Sequence, residues 1–218
     1  MIICFLHVDA NGEYAQYGDT LAQLLVKSCK RVMPDIPVVH LAGPTTAAVS
    51  GADWVNRIRP QENFLMPFKL QHLAQISGDF IFLDTDILVT EPIQDVFDKP
   101  FDVAMYWRDD VEVMSNGSPA PKMPYNAGFM ACRNQDFFKE AYELCLKQDV
   151  KYKIWFGDQV AIADLAKTGR YRFLDLPRDW NHAVTGPDDL AAKVLHFKGP
   201  RRKQWMPGAA RKLGICAD

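Results

Sequence analysis

The sequence predicts an α/β protein with a mostly parallel central sheet flanked by helices, arranged as a single domain over residues 1–218. Apolar runs of strand length alternate along the chain with segments of helical periodicity, which is the pattern of a layered α/β domain. The first run, residues 2–7, is almost entirely apolar, as in a strand that is covered on both faces. The chain is also long enough to bury a substantial core.

The predicted elements follow one another in a regular order. After the first strand, residues 18–32 place Leu21, Leu25 and Cys29 on one face of a helix. Residues 66–76 read as a short helix that leads to Gly78. The other predicted strands cover 37–41, 80–89, 101–107, 125–132, 171–175 and 193–197, and the other predicted helices run from Asn134 to about 147 and from Asp158 to 169.

The longest segment without a clear pattern is residues 108–124. It is polar and rich in Gly, Ser and Pro. A loop of this length in a compact domain is more often a lid or a binding loop than a disordered insert.

Composition and charge exclude several classes of protein. The net charge is -2, which gives no basic footprint for nucleic acid. The five cysteines are odd in number and form no CxxC pair, so we expect free thiols in a reduced, cytoplasmic protein. The apolar N-terminus is short and has no basic residues, so it indicates a first strand rather than a signal peptide. No apolar run approaches the ~20 residues of a transmembrane helix, and neither GxGxxG nor GxxxxGK[ST] occurs.

Two carboxylates interrupt the most apolar predicted strand. Its sequence, FIFLDTDILV, carries Asp84 and Asp86 with no Lys or Arg nearby along the chain. Neighbouring carboxylates repel each other, and burial penalises each charge. A divalent cation removes both problems, because Mg²⁺ or Mn²⁺ prefers carboxylate oxygens and keeps positions open for phosphate oxygens. The alternative is an Asx turn that closes the strand.

A second candidate segment, VLHFKGPRRKQW, lies near the C-terminus. His196 follows two apolar residues, and its imidazole can complete a metal site begun by two carboxylates. Gly199 permits close backbone approach, and the cations around it can clamp a diphosphate. These cations are Lys198, Arg201, Arg202 and Lys203. The alternative is a solvated basic tail with a histidine in the core.

Four short motifs in order give the chain a resemblance to a known family. They are LDTD at 83–86, YNAGF at 125–129, DQ at 158–159 and HFKG at 196–199, the last followed by Lys203 and Trp205. In this order and spacing the chain resembles the GT-A glycosyltransferases, and in particular glycosyltransferase family 8, the galactosyltransferase and glycogenin group. The resemblance covers residues 1 to about 206 and implies the GT-A fold.

The resemblance implies a metal-bound nucleotide sugar. Asp84, Asp86 and His196 would hold Mn²⁺ or Mg²⁺, which bridges the two phosphates and acts as a Lewis acid on the leaving diphosphate. Asp84 would also lie near the ribose. His7 and Asp9 would lie by the base, where Asp9 accepts a hydrogen bond from uracil; the alternative for Asp9 is a turn residue.

The resemblance also assigns residues to the donor sugar. Lys69 would contact the donor, or else be an ordinary exposed helix lysine. The small side chains at Asn126, Ala127 and Gly128 would leave room for the sugar, or else mark a strand with a glycine bulge. Asp158 would bind sugar hydroxyls, although Asp after Gly is also a natural helix N-cap.

The catalytic residues implied by the resemblance are Asp158, Gln159 and Lys203. Gln159 would lie under the anomeric carbon, but an amide is too weak to be assigned as a nucleophile. The family pattern has Lys three residues after the Gly and then Pro-Trp. Here Arg202 stands at that spacing, Lys203 follows it and Gln204 replaces the Pro, so either cation is a candidate for the leaving phosphate.

The predicted function is metal-dependent transfer of a hexose from a nucleotide-diphosphate sugar, with UDP favoured, to a glycan or other hydroxyl acceptor with retention. A non-catalytic nucleotide-sugar or glycan-binding protein of the same fold is the alternative. A nucleotidyltransferase is disfavoured, because HVDANGEY has a single Gly and no Arg after the first strand. Tyr106, Trp107, Arg108, Trp155 and Phe156 are candidates for a surface that stacks on the acceptor sugar, or else core and rim residues.

Overall fold

The computed structural model of the protein describes residues 1–8, 19–108 and 123–216. Its main feature is a seven-stranded sheet with the strand order β3-β2-β1-β4-β7-β6-β8. The strands are β1 (Ile2–Leu6), β2 (Val38–Ala42), β3 (Trp54–Arg57), β4 (Phe80–Leu83), β6 (Val103–Trp107), β7 (Tyr125–Cys132) and β8 (Phe173–Leu176).

The sheet is mostly parallel, as the sequence predicts. Every neighbouring pair is parallel except the two that involve β7, which runs antiparallel to β4 and β6. Strands β2, β4 and β7 are buried along their whole length. Burial on both faces explains why these segments read as continuous apolar runs rather than as alternating patterns.

Helices cover both faces of this sheet. They are α1 (Thr20–Val32), α2 (Leu65–Leu73), α3 (Asp136–Leu146), α4 (Val150–Ile154), α5 (Gly157–Lys167), α6 (Pro200–Lys203) and α7 (Met206–Lys212), and two short 3-10 helices lie at Gln94–Asp98 and Arg178–Trp180. Ile3 and Phe5 pack with α1 on one face, whereas Cys4 packs with α2, α3 and α5 on the other. This alternation follows from the two-residue period of a strand.

A second sheet of three strands contributes His196 to the wall of the cavity described below. It contains β5 (Ile87–Val89), β9 (His182–Ala183) and β10 (Val194–His196) in the order β5-β10-β9. β10 runs antiparallel to β5 and parallel to β9. Leu88, Leu195 and Phe197 from this sheet pack in one core cluster with Met206 of α7.

The predicted single strand over 80–89 is wrong. The chain leaves the large sheet after Leu83, turns at residues 84–86, and enters the small sheet at Ile87. Besides the two 3-10 helices, five of the described strands and α-helices had no prediction: β3, β9, α4, α6 and α7. Each has only 2 to 7 residues, which is too short for a clear periodic signal.

The two helices predicted to start at Asn134 and at Asp158 begin within two residues of those positions. α3 begins at Asp136, and the side-chain oxygen of Asn134 accepts a hydrogen bond from the Asp136 amide at 3.2 Å. α5 begins at Gly157, so Asp158 lies within its first turn rather than at its N-cap. All five cysteines lie in the described part of the chain as free thiols. Within the described ranges no helix has the length and apolar character that a membrane crossing requires.

Candidate active site

A cavity of about 730 Å³ opens where the strands of the large sheet meet the small sheet. The turn at residues 84–86 lies in its wall, between β4 and β5. The cavity is also lined by the β7 segment Asn126 to Gly128, by the start of α5, and by Lys198, Gly199 and Lys203. All four motifs singled out in the sequence therefore contribute to one cavity.

Asp84, Asp86 and His196 come together in this cavity. Each offers a ligand atom, and these atoms lie within 4.8 Å of one another. The Nε2 atom of His196 lies 3.2 Å from Oδ1 of Asp86, and both residues are buried. The amide of Phe197 donates to the carbonyl oxygen of Asp86 at 2.8 Å, so antiparallel pairing of β5 and β10 fixes the distance between the two side chains.

Lys69 brings a cation to Asp84 from 15 positions earlier in the chain. It is 5% exposed, and its ammonium donates to Oδ1 of Asp84 at 3.1 Å, the carbonyl oxygen of Ala127 at 3.1 Å and Oδ2 of Asp158 at 2.9 Å. Burial alone would lower the pKa of Lys69, but the charges of Asp158 and Asp84 outweigh it and hold the pKa above its ordinary value. The alternative of an exposed helix lysine is therefore wrong.

Lys203 is the second cation of the cavity. Its ammonium forms an ion pair with Oδ2 of Asp86. Burial alone would raise the pKa of Asp86, but His196 and Lys203 outweigh it and hold the pKa well below its usual range. Arg202, the other candidate, has its Nη1 3.5 Å from the carbonyl oxygen of Lys198 and is not among the described residues that line the cavity.

The glycine of the β7 motif makes room for the histidine. The pairing of β6 with β7 shifts register between Met105 and Tyr106, so the strand irregularity given as the alternative for this motif is present, and the motif also lines the cavity. A Cβ atom added to Gly128 would lie 2.4 Å from Cε1 and 2.7 Å from Nδ1 of His196. Only a residue without a side chain fits beside the imidazole in this position.

The start of α5 brings Asp158 and Gln159 to the cavity. Phe156 precedes the helix with a φ of 72°, the only non-glycine residue with positive φ in the described ranges. Oδ1 of Asp158 accepts a hydrogen bond from the backbone N–H of Gln159 at 2.8 Å. The side-chain Oε1 of Gln159 accepts one from Nη2 of Arg108 at 3.2 Å. Backbone strain of this kind concentrates at functional sites, because surrounding contacts must hold it in place.

The end of β1 brings His7 to the cavity. Its Nε2 lies 2.7 Å from Oδ1 of Asp19, and its carbonyl oxygen accepts from Nε2 of buried His40 at 2.9 Å. Asp9, the other residue expected beside the base, lies outside the described residues. Gly199 also lines the cavity, with a φ of 84° that favours glycine.

Two residues support the site through contacts that the sequence does not indicate: Asn181, and Arg108, which is buried rather than part of an exposed stacking surface. Arg108 donates from Nε to the carbonyl oxygen of Met123 at 3.0 Å and from Nη2 to Oε1 of Gln159. It therefore holds the side-chain amide of Gln159 in place. Asn181 is buried behind His196, and its side chain contacts both His196 and Asn126. A motif search cannot find either residue, because each acts through contacts between distant parts of the chain.

Comparison with solved structures identifies the architecture. The glycosyltransferase GlyE of Streptococcus pneumoniae TIGR4 matches 98% of the chain with a TM-score of 0.64 and 13% identity. The galactosyltransferase LgtC, solved with donor and acceptor sugar analogs, matches all of the chain with a TM-score of 0.64 and 16% identity. The chain has the GT-A glycosyltransferase fold.

A further solved structure has a similar fold, whereas the comparisons with family models and curated proteins gave no match. A glycosyltransferase involved in glycosylation of the major capsid of PBCV-1 also matches, over 97% of the chain and 100% of its own length, with a TM-score of 0.61 and 13% identity. The chain spans 62% of GlyE and 98% of LgtC. No model of a protein family matches the sequence, and neither does any curated protein.

Proposed function

We propose that the protein transfers a hexose from a nucleotide-diphosphate sugar, with UDP as the favoured nucleotide, to a glycan or other hydroxyl acceptor with retention. The observation that carries this proposal is the convergence of Asp84, Asp86 and His196 beside Lys203 in the cavity of a GT-A fold. A wall with three potential metal ligands and a neighbouring ammonium suits a diphosphate better than a neutral ligand.

The donor set fits Mn²⁺ or Mg²⁺. Two carboxylates and one imidazole offer oxygen and nitrogen ligands, and the buried positions of Asp86 and His196 keep those ligands in place. Asp84 is half-buried and faces the cavity, so the ion would remain accessible to phosphate oxygens. A bound ion would supply Lewis-acid stabilisation of the leaving diphosphate.

The loop after β10 is proposed to hold the diphosphate. Lys203 lies beside Asp86, whereas Arg202 does not line the cavity, so we assign the leaving phosphate to Lys203. Gly199 would let the backbone approach a phosphate oxygen closely. A positive charge fixed near the leaving group stabilises the negative charge that develops there as the glycosidic bond breaks.

Residues of β7 and α5 are proposed to surround the donor sugar. Asn126, Ala127 and Gly128 form a wall of small residues, and Asp158 and Gln159 line the same cavity. Among the described residues that line the cavity, Asp158 is bonded to Lys69 and to the backbone amide of Gln159, and Glu62 is paired with Lys153, so we assign neither as a nucleophile. We therefore propose same-face transfer, in which the leaving phosphate takes the acceptor proton.

We propose an indirect role for Lys69. An ammonium has three N–H donors, and those of Lys69 go to Asp84, Asp158 and Ala127. Lys69 would therefore hold the two carboxylates in position beneath the donor. His7 and Asp9 remain the proposed contacts of the base.

The acceptor is proposed to bind at the aromatic rim of the cavity. Trp155 is 47% exposed and Phe156 follows it, with their ring centroids 5.7 Å apart, and both line the cavity. Exposed aromatic faces suit the apolar face of a sugar ring.

The single domain over 1–218 and the cytoplasmic location stay predictions.

Release of the nucleoside diphosphate tests this proposal. Purified protein would be incubated with a panel of sugar nucleotides in Mn²⁺ or in EDTA, beside the Asp86→Asn variant. Asp95→Asn is the matched control, because Asp95 pairs with Lys193 on the surface, outside the cavity. We expect release from one donor that requires Mn²⁺ and is lost only in Asp86→Asn.

Other outcomes separate the alternatives. A melting shift with nucleotide and Mn²⁺ but no release, even with a panel of sugar acceptors, would favour the non-catalytic binding protein. Release that persists in EDTA or in Asp86→Asn would contradict the metal-dependent reaction.

A further inference from the structure

Asn181 lies behind the candidate metal site rather than in the cavity. It is 2% exposed, it immediately precedes β9, and it is not among the described residues that line the cavity. Its Nδ2 donates to Oδ1 of Asn126 at 2.8 Å, and its Oδ1 lies 2.8 Å from Nδ1 of His196. The side chain therefore connects the β7 motif to the imidazole.

The direction of these hydrogen bonds is set by a backbone amide. The Gly128 N–H donates to Oδ1 of Asn126 at 3.0 Å, and a backbone N–H cannot act as an acceptor. The atom of Asn126 that faces Gly128 must therefore be its oxygen. The atom of Asn181 that meets the same oxygen must be its NH₂ group, which leaves the Asn181 oxygen facing His196.

The Asn181 oxygen in turn sets the state of the imidazole. An amide oxygen only accepts, so Nδ1 of His196 must carry the hydrogen of this bond. In the neutral ring the lone pair is then on Nε2, the atom that faces Asp86. The imidazole can neither flip nor change tautomer without leaving a buried amide oxygen unpaired, which is energetically costly.

We propose that Asn181 is a positioning residue that holds His196 in the Nδ1–H tautomer, with the Nε2 lone pair directed at the cation that Asp84 and Asp86 bind. The inference rests on the proposed function only for the identity of the cation, since the hydrogen-bond chain is present without it. Parallel pairing of β9 with β10 supports it, because this pairing fixes the distance between Asn181 and His196. A partner behind a metal-binding histidine typically contributes 10- to 100-fold in metal affinity.

The state of the ring is tested in the wild-type protein. Nitrogen-15 NMR of the labelled histidines, with His196 assigned from a His196→Gln variant, reports which ring nitrogen carries a proton. We expect a proton on Nδ1 both without metal and with saturating Mg²⁺, and an unprotonated Nε2 with Mg²⁺. A neutral ring with its proton on Nε2 would overturn the proposal, whether or not the protein turns over a donor.

Variants of Asn181 test its contribution to metal binding. Asn181→Leu has a similar size but offers no acceptor, and we expect a 10- to 100-fold rise in the Kd for Mn²⁺. Asn181→Asp keeps an acceptor for Nδ1–H but loses the donor to Oδ1 of Asn126, so its Kd should rise less than that of Asn181→Leu. Asn56→Leu is the control, because Asn56 lies in β3 and outside the cavity.

The outcomes distinguish this inference from the proposed function. Equal Mn²⁺ affinity in Asn181→Leu and wild type, or equal losses in the Leu and Asp variants, would overturn the positioning role. Absence of Mn²⁺ binding by the wild type would instead contradict the proposed function, and the NMR result would still decide the tautomer.

Discussion

Gly128→Ala is the substitution whose effect the structure defines most closely. The added Cβ would lie 2.4 Å from Cε1 of His196, which is about 1 Å short of the 3.4 Å where ordinary contacts begin. It would also lie 3.0 Å from Oδ1 of Asn126. The imidazole must therefore move by roughly 1 Å away from β7, since the backbone of Gly128 is held by its amide and carbonyl hydrogen bonds.

The expected loss follows from that displacement. A misplacement of 1 Å at a reacting centre costs about 100-fold in rate, or ~2.7 kcal/mol. We expect Gly128→Ala to lower the rate of nucleoside diphosphate release by about that factor and to weaken Mn²⁺ binding. The assay is Mn²⁺-dependent release from the accepted donor, measured alongside the melting temperature.

Gly208→Ala is the matched control. Gly208 lies within α7 and a Cβ there would meet nothing within 4 Å, so the change should be neutral or stabilise the helix by ~0.5–1 kcal/mol. If Gly128→Ala keeps wild-type release and Mn²⁺ affinity, the account of how His196 is packed is wrong. A fall in both glycine variants alike would point to a general effect of the substitution.

Three further predictions follow from the same contacts. Lys69→Met leaves the 2%-exposed Asp158 without its cation and should lower the free energy of unfolding in urea by about 3 kcal/mol or more; adding Asp158→Asn should recover much of that loss, and no recovery would refute the pairing. Trp155→Ala should raise the acceptor KM up to about tenfold while the Kd for the nucleotide stays constant, since an aromatic contact contributes ~0.5–1.5 kcal/mol; an unchanged KM would remove Trp155 from the acceptor site. Burial lowers the pKa of His72 to about 4 from 6.5, so the unfolded state takes up the proton first as pH falls. The free energy of unfolding should therefore drop by roughly 3 kcal/mol between pH 6.5 and 4. His72→Leu should flatten that part of the profile of unfolding free energy against pH, and a profile identical to wild type would contradict the assignment.

The fold was largely predictable because its central elements carry strong local patterns. β1 is apolar along its length and α1 repeats its apolar residues on one face, so their buried positions are visible in the sequence. The turn between β4 and β5 was considered only as the alternative of an Asx turn, because both sides of it are apolar and each strand belongs to a different sheet. An apolar residue indicates that its position is buried, but it does not indicate to which of the two sheets its strand belongs.

Placement in one cavity was predictable for residues of the four short motifs and, through the family resemblance, for His7 and Lys69, whereas their roles stay predictions. Asp84 and Asp86 have no nearby cation along the chain, yet the fold brings Lys69 and Lys203 to them from 15 and 117 positions away. Pairing at such separations depends on tertiary structure and leaves no local signal. Asn181 was missed for the same reason, since its partner His196 lies on another strand.

A titration with Mn²⁺, followed by electron paramagnetic resonance of the free ion, tests the central claim most directly. It would be carried out on the wild type and on Asp86→Asn, with and without UDP. We predict one Mn²⁺ bound per wild-type chain, tighter binding in the presence of UDP, and the loss of this site in Asp86→Asn. Absence of Mn²⁺ binding by the wild type, or equal binding by the variant, would contradict the assignment of Asp84, Asp86 and His196 as a cation site for a nucleotide sugar.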